Sequence, residues 1–298
     1  MKIVVIGGSG HIGTFLIPPL VRAGHEVVNI TRSGGTGYHH APEWERITQI
    51  KADREQQDTD GTFGETVLAQ EPDVVVDLVC FTVESAMAMI TALRGKVQHY
   101  VFCGSIWRAG ISEILPISED DATEPFSDYG IGKHQIARIL KEETANGGLV
   151  ATTLDPGHIS GPGWVPIGPT GHLDVGVWRT LSAGEPLSIP GLGTETMAHV
   201  HADDVAQAFE LAVTRRDAAA GEDFFITAAD ALNVRGYARL GASWFGKEAL
   251  LRSVSWEEFR AGLTEDHAEK SWEHLVRSHM FTIDKGPRTL RIRSPAHR

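Results

Sequence analysis

Apolar residues in the first half of the chain fall in short runs bounded by glycine or polar turns, with helix-spaced stretches between them. Lys2–Ile6 is nearly all apolar and leads into a glycine cluster, the pattern of a strand buried on both faces of a parallel sheet. Residues 11–23 have helical composition, and Pro18-Pro19 are expected to bend or shorten that helix. Further strands are predicted at Glu26–Thr31, 47–52, 73–79 and 97–103, with helices at 63–70 and 84–93. A longer helix is predicted over 128–145. Ile131, Ile136, Ile139 and Leu140 give it a partial apolar face, and Asn146-Gly147-Gly148 stops it. A sixth strand follows at 149–154. This alternation predicts an α/β protein with a Rossmann-type doubly wound parallel sheet. Beyond Gly157 the pattern loosens: Gly and Pro cluster at 157–171 and around 186–193, and Trp244, Trp256 and Trp272 come late. The expected division is a core over 1–156 and a smaller C-terminal lobe over 157–298, some of whose segments return to the core.

The first strand runs into Gly7-Gly8-Ser9-Gly10-His11-Ile12-Gly13, which satisfies Gly-x-x-Gly-x-x-Gly from Gly7 and Gly-x-Gly-x-x-Gly from Gly8. Between a buried strand and a helix, such glycines let the backbone turn tightly and approach a pyrophosphate at the helix N-terminus. This points to a dinucleotide in the core, which leaves the lobe to bind substrate. An acid at the end of the second strand would hold the ribose 2′-hydroxyl of NAD. Here that strand ends Asn29-Ile30-Thr31-Arg32-Ser33, and Glu26 comes too early. Arg32 can pair with a 2′-phosphate, with a hydroxyl from Thr31 or Ser33, so NADP is favoured and NAD is the alternative.

Tyr129 and Lys133 stand four residues apart, one turn from each other on the same helix face. A free phenol titrates near about 10. A neighbouring ammonium is expected to lower that value, making the pair a general acid/base for a carbonyl or alcohol oxygen.

The formal charge of −12 over 298 residues, Lys+Arg 27 against Asp+Glu 39, argues against nucleic acid and anionic membranes as partners. No apolar run reaches the length of a membrane span, and residues 1–7 read as a strand rather than a signal peptide. Cys80 and Cys103 end apolar runs and read as buried thiols of a reducing cytoplasm rather than a disulfide. No metal is expected: His199 and His201 share a strand face, but no Cys or carboxylate set completes a site. Ser105 lies in Cys103-Gly104-Ser105-Ile106-Trp107, which is not the Gly-x-Ser-x-Gly elbow of a serine hydrolase.

These motifs together resemble the extended branch of the short-chain dehydrogenase/reductase superfamily, the NAD(P)-dependent epimerase/dehydratase group. The resemblance is well marked over 1–208 and weaker beyond. It is carried by the glycine turn, Ala52-Asp53, Val101-Phe102-Cys103-Gly104-Ser105, Tyr129 and Lys133, residues 155–163, residues 197–206 and Phe281-Thr282-Ile283-Asp284-Lys285. It implies catalysis by Ser105, Tyr129 and Lys133, with Ser105 positioning the substrate oxygen and Lys133 also holding the nicotinamide ribose. It implies cofactor contacts from Gly7, Gly10, His11, Ile12, Gly13, Thr31, Arg32, Asp53, Leu78, Lys133 and Pro156, with Asp53 at the adenine. It further implies a homodimer through the helix carrying Tyr129.

The chain also departs from the family pattern. Asp155 replaces the usual Arg, and His158 replaces an Asn at a position that contacts substrate in the family. The Ser105 segment lacks the Asp-Glu pair of sugar-nucleotide dehydratases. Trp107 and Arg108 follow instead, read as an apolar wall and an anion contact for substrate. The resulting expectation is an NADP-dependent oxidoreductase acting on a hydroxyl or keto carbon of a small polar, sugar-derived molecule. The alternatives are an NAD(P)-dependent sugar or sugar-nucleotide epimerase that retains its cofactor, and a non-catalytic NADP-binding or RNA-associated protein, since some similar chloroplast proteins bind RNA.

Overall fold

Valine and isoleucine fill β1 (Lys2–Ile6), and from Ile3 to Ile6 every side chain is buried, because both faces of the strand are covered by helices. The structure is a computed structural model and describes residues 1–121 and 123–292. In chain order, β1 is followed by α1 (His11–Arg22), β2 (Glu26–Thr31), β3 (Thr48–Lys51), α2 (Arg54–Thr59), α3 (Phe63–Leu68), β4 (Val74–Asp77), α4 (Val83–Leu93) and β5 (His99–Cys103). Then come α5 (Ser127–Ala145), β6 (Ala151–Pro156), β7 (His158–Ser160), α6 (Gly176–Ala183), β8 (Leu187–Pro190), β9 (Thr196–Met197), β10 (His199–His201), α7 (Ala202–Thr214), α8 (Arg216–Ala219) and β11 (Asp223–Ile226). The last elements are β12 (Leu232–Asn233), α9 (Val234–Ser243), β13 (Leu251–Val254), α10 (Trp256–Ala261), α11 (Glu265–Leu275) and α12 (Lys285–Thr289).

The main sheet is seven-stranded and wholly parallel, in the order β11-β6-β5-β4-β1-β2-β3. Strand order reverses between β1 and β4, where Ile3 pairs with Val74 on one side and with Val27 on the other. In open parallel sheets the crevice beyond the strand ends at such a reversal is where ligands bind. One face of the sheet packs against α1 and α7 through Leu16, Ile17, Leu20, Val205 and Phe209. The other packs against α3, α4 and α5 through Phe63, Met89, Ile90, Ile136 and Leu140. The doubly wound architecture expected from the alternation is therefore present. The return strand β11, which lies far along the chain and pairs with β6, carries no local signal that would assign it to the main sheet.

Two helices differ from expectation. Helix α1 runs through Pro18 and Pro19 to Arg22. Burial of Leu16, Ile17, Leu20 and Val21 on one stripe outweighs the amide bonds that the prolines cannot make. Helix α5 buries Gly130, Lys133, Ile136, Ala137 and Leu140, while Ile131 is exposed. The buried stripe of α5 thus includes a lysine and leaves out an isoleucine. Gly130 lies so close to the Trp107 carbonyl that an added Cβ would stand 2.7 Å from it, so the helix turns this stripe inward.

The C-terminal lobe has its own apolar cluster, in which Val177 and Leu181 of α6 meet Val234, Tyr237 and Ala238 of α9 and Ile189 of β8. A smaller cluster of Ile106, Trp107, Ile117, Phe225 and Phe281 joins the lobe to the sheet. Cys80 and Cys103 are buried free thiols, pushed up to about 12 and about 11 by burial. Among the described residues no helix is long and apolar enough to cross a membrane.

Burial also affects the histidines. His99 in β5 and His172 are both pushed down to about 4 by loss of hydration, and His99 Nε2 lies 2.8 Å from Thr152 Oγ1. Both rings are neutral in the fold, whereas an unfolded chain protonates them near about 6.5. Their contribution to stability is full above that pH and is lost as pH falls through about 4. The melting temperature should therefore drop as pH falls from about 6.5 to 4, and His99→Gln should flatten the drop. An unchanged slope in thermal melts of that variant would refute the assignment.

Candidate functional site

The turn after β1 shows why it is rich in glycine. Gly7 has φ +84°, a region that disfavours side chains, and a Cβ there would stand 2.5 Å from Val79. A Cβ on Gly13 would meet the Gly8 carbonyl oxygen at 2.2 Å, so this glycine lets helix α1 close onto the turn. Asn29, buried inside β2, steadies the turn from below. Its Oδ1 accepts the Gly8 amide at 3.0 Å, and its Nδ2 donates to Gln49 at 2.9 Å. A polar residue between apolar neighbours, Val28 and Ile30, is the sequence signal for this role.

Helix α1 begins at Gly10 with no side-chain cap and no acid in its first turn. Its first amides are therefore free to meet an anion, which is what a pyrophosphate requires. In front of it lies a cleft of about 830 Å³ lined by Gly7, Ser9, Gly10, Thr31, Arg32 and Asp53, among others. A nicotinamide dinucleotide fits these residues: glycines without Cβ at the turn, uncapped amides, and the exposed Arg32 at the end of β2. Asp53 also accepts the Gln56 amide as the N-cap of α2. Arg54, a further residue of the cleft, is held in place by Asp77 at 2.6 and 2.8 Å and by Asp58 at 3.3 Å.

Of the other expected cofactor residues, Ile12 and Leu78 sit in the apolar core behind the turn, and Pro156 is buried at the end of β6. The His11 ring is stacked 4.8 Å from Trp164 and hydrogen-bonded to Tyr38, so it belongs to an aromatic cluster beside the helix start. None of these four lines the cleft beside Gly7 and Gly10.

Ser105, Tyr129 and Lys133 come together where β5 ends and α5 begins. Ser105 follows β5, and its backbone amide donates to Asp155 Oδ1 at 2.9 Å. The nearby Ser105 hydroxyl pulls the Tyr129 pKa down, which favours the phenolate. Lys133 is 1% exposed, and its Nζ donates to the carbonyls of Cys80 at 2.8 Å and Cys103 at 2.7 Å. Nζ also stands 5.7 Å from the Tyr129 ring centroid and 4.7 Å from that of Phe102. Burial lowers the Lys133 pKa.

The expected lowering of the Tyr129 pKa is reversed in this structure. Desolvation dominates, and the phenol is pushed up to about 12 even though the side chain as a whole is 41% exposed. Lys133 is tied to two carbonyls rather than to the phenol oxygen.

The substrate expectations divide. Trp107 is buried with its ring edge-on to Tyr129 at 6.1 Å, so it walls the same space. Arg108 is not available as an anion contact and is corrected to a structural role. It is buried, with Nε donating to Asp155 at 2.6 Å and Nη2 to Asp223. Asp223 is also met by Lys141 at 3.2 Å. Burial pushes the Asp155 carboxyl up, to about 6, against the pull of Arg108. The sequence departure at Asp155 thus belongs with the arginine at 108.

His158 is buried beside His199, His274 and His279, with ring centroids at 5.4, 4.8 and 5.4 Å. His274, His279 and Arg277 were not anticipated, because the lobe that carries them has no periodicity to place them. His201, paired with His199 in the sequence reading, instead caps α7 by accepting the Asp203 amide at 3.1 Å. Among the described residues, His172, Asp174 and His267 bring ligand atoms within 4.8 Å of one another. Both His172 ring nitrogens are already hydrogen-bonded, to Thr170 and to the Asp174 amide, so this group is structural.

The model of the NAD dependent epimerase/dehydratase family matches residues 3–227. Chloroplast stem-loop binding protein of 41 kDa b from Arabidopsis thaliana is 30% identical over 253 residues, 80% of this chain and 61% of that protein. 2′-dehydrokanamycin reductase from Streptomyces kanamyceticus is 29% identical over 210 residues, 70% of this chain and 56% of the reductase. The chain therefore spans less than two thirds of either relative. UDP-glucose 4-epimerase from Mycolicibacterium smegmatis is 28% identical over 232 residues, 70% of this chain and 72% of the epimerase. The crystal structure of UDP-glucose 4-epimerase with UDP-glucose from Thermotoga maritima superposes with a TM-score of 0.75 at 19% identity, covering 99% of this chain and 94% of that one. At that identity the likeness is one of fold.

Proposed function

Because this chain belongs to the NAD dependent epimerase/dehydratase family, we propose that it is an NADP-dependent oxidoreductase acting on a hydroxyl or keto carbon of a small polar, sugar-derived substrate. The observation that carries this reading is the Tyr129 ring standing 5.7 Å from the Nζ of a buried Lys133, with Ser105 beside it. Residues 1–156 bind the cofactor, and 157–298 mainly the substrate. The uncapped start of α1 takes the pyrophosphate, and Arg32 takes a 2′-phosphate. When bound, the nicotinamide supplies hydride-transfer chemistry.

The side chains move the proton. Ser105 and Tyr129 both face one substrate oxygen and fix its position. With its pKa raised, the phenol is protonated at neutral pH, the form that reduction requires. An alkoxide is far more basic than a phenolate, so proton transfer from Tyr129 to the reduced oxygen runs downhill. Lys133 places positive charge beneath the ring, which steadies the phenolate left behind.

The relatives named UDP-glucose 4-epimerase support a second reading, epimerisation with retained cofactor. Net oxidation of NADPH by a keto sugar favours the first reading. Nucleotide that stays with the purified protein, without net redox, favours the second. A homodimer through α5, which the mass in solution would test, and a cytoplasmic location complete the proposal.

Arg32→Ala should weaken NADPH binding by about 10- to 100-fold, the worth of a charged hydrogen bond, and leave NADH nearly unchanged. Equal losses for both nucleotides in fluorescence titrations would overturn the NADP assignment.

A further inference from the structure

Arg54 opens α2 at the wall of the cleft beside the glycine turn, and its side chain is 12% exposed. Its guanidinium carbon stands 5.0 Å from the Phe63 ring centroid. Nη1 donates to both oxygens of the wholly buried Asp77, at 2.6 and 2.8 Å. Nε donates to Ser85 Oγ at 3.0 Å and to Asp58 Oδ2 at 3.3 Å. Asp77 is further engaged by the Tyr100 hydroxyl at 2.8 Å and the Val79 amide at 3.2 Å, and Asp58 Oδ2 also accepts the Ser85 hydroxyl. These bonds fix both side chains and leave two atoms over.

The two atoms are Arg54 Nη2 and Asp58 Oδ1, which are buried and have no partner. One can only donate and the other, on an ionised carboxylate, can only accept. They belong to side chains already in contact through Nε and Oδ2. A buried polar atom without a partner is costly, and a ligand that supplies both partners relieves that cost twice. Arg54 and Asp58 line the same cleft as Gly7, Thr31 and Arg32. Phe81 lines it too and is 56% exposed, an apolar face suited to a flat aromatic ring. Adenine is such a ring, and along one edge it carries an amine donor next to a ring-nitrogen acceptor. A fixed acceptor beside a fixed donor matches that edge. Asp53, the acid expected at the adenine, is itself exposed, and its Oδ1 accepts the Gln56 amide at 3.3 Å.

We infer that Arg54 and Asp58 read the base of the dinucleotide, Asp58 accepting from the exocyclic amine of adenine and Arg54 donating to the ring nitrogen beside it. The inference rests on the dinucleotide reading above and assigns the choice of base to this buried ion pair rather than to Asp53.

Fluorescence titration of the full chain with NADPH and with its hypoxanthine counterpart tests it, because hypoxanthine carries a carbonyl oxygen where adenine carries the amine. The parent should bind NADPH about 10- to 100-fold more tightly than the hypoxanthine form, the worth of one such paired contact. Asp58→Asn should largely erase that preference, since an amide can turn a donor toward the carbonyl oxygen. Asp53→Asn should keep it. Thermal unfolding without nucleotide reads folding separately. The inference is overturned if the parent binds both forms alike, if Asp58→Asn weakens both in equal measure, or if Asp53→Asn and not Asp58→Asn removes the preference. If the parent binds neither NADPH nor NADH, the dinucleotide reading falls and the inference falls with it. Tight NADPH binding without a preference of base removes the inference alone.

Discussion

Tyr129→Phe should lower turnover by about 10²- to 10⁴-fold, the usual range for loss of a positioned general acid. The phenyl ring keeps the edge-on contact with Trp107 and the place above Lys133, so folding and NADPH affinity should stay close to those of the parent. Ser105 would still hold the substrate oxygen, which leaves KM less affected than kcat. The loss should be the same in both reaction directions, because the same proton is given in one and taken in the other. The check is steady-state kinetics on whichever sugar ketone or alcohol the parent turns over. A variant within about threefold of the parent would remove Tyr129 from the mechanism, since general-acid contributions do not fall that low.

Arg108→Met should destabilise the fold by about 3–5 kcal/mol, the cost of leaving a buried charge without its partner. Asp155 is wholly buried, and its one remaining polar contact would be the Ser105 amide. Asp223 keeps Lys141 and Lys285, so the damage centres on Asp155. Adding Asp155→Asn to that variant should recover much of the loss, because an amide oxygen can still accept from Ser105 while the buried charge is gone. Urea unfolding midpoints of the single and double variants decide the matter. An Arg108→Met protein within about 1 kcal/mol of the parent would show that the ion pair is not needed, against the cost expected for such sites. Since Asp155 also holds the loop that carries Ser105, the single variant should lose activity in step with stability.

The parts that could be read in advance were those with a short-range physical cause. The strand runs, the glycine turn and the spacing of Tyr129 and Lys133 each express a local rule, whether burial on two faces, a backbone needing φ above zero, or one helical turn. Arg108 shows the limit. A basic residue directly after an aromatic in a loop reads as a surface anion contact, but its partners lie 47 and 115 residues away on β6 and β11. Lys133 shows it again: its position on the helix was legible, but not that two carbonyls from separate strand ends would take its ammonium group.

By itself the sequence determined the doubly wound sheet, the dinucleotide turn and the pairing of a phenol with an ammonium one turn on. It could do so because hydrophobic period and glycine placement act over a few residues. Only the tertiary structure decided which charges are spent inside the protein and which remain for a ligand. Arg108 is neutralised by Asp155 and Asp223, while Arg32 stays open at the cleft. Coulomb interactions and desolvation depend on distances between elements far apart in the chain, and no local pattern sets those distances.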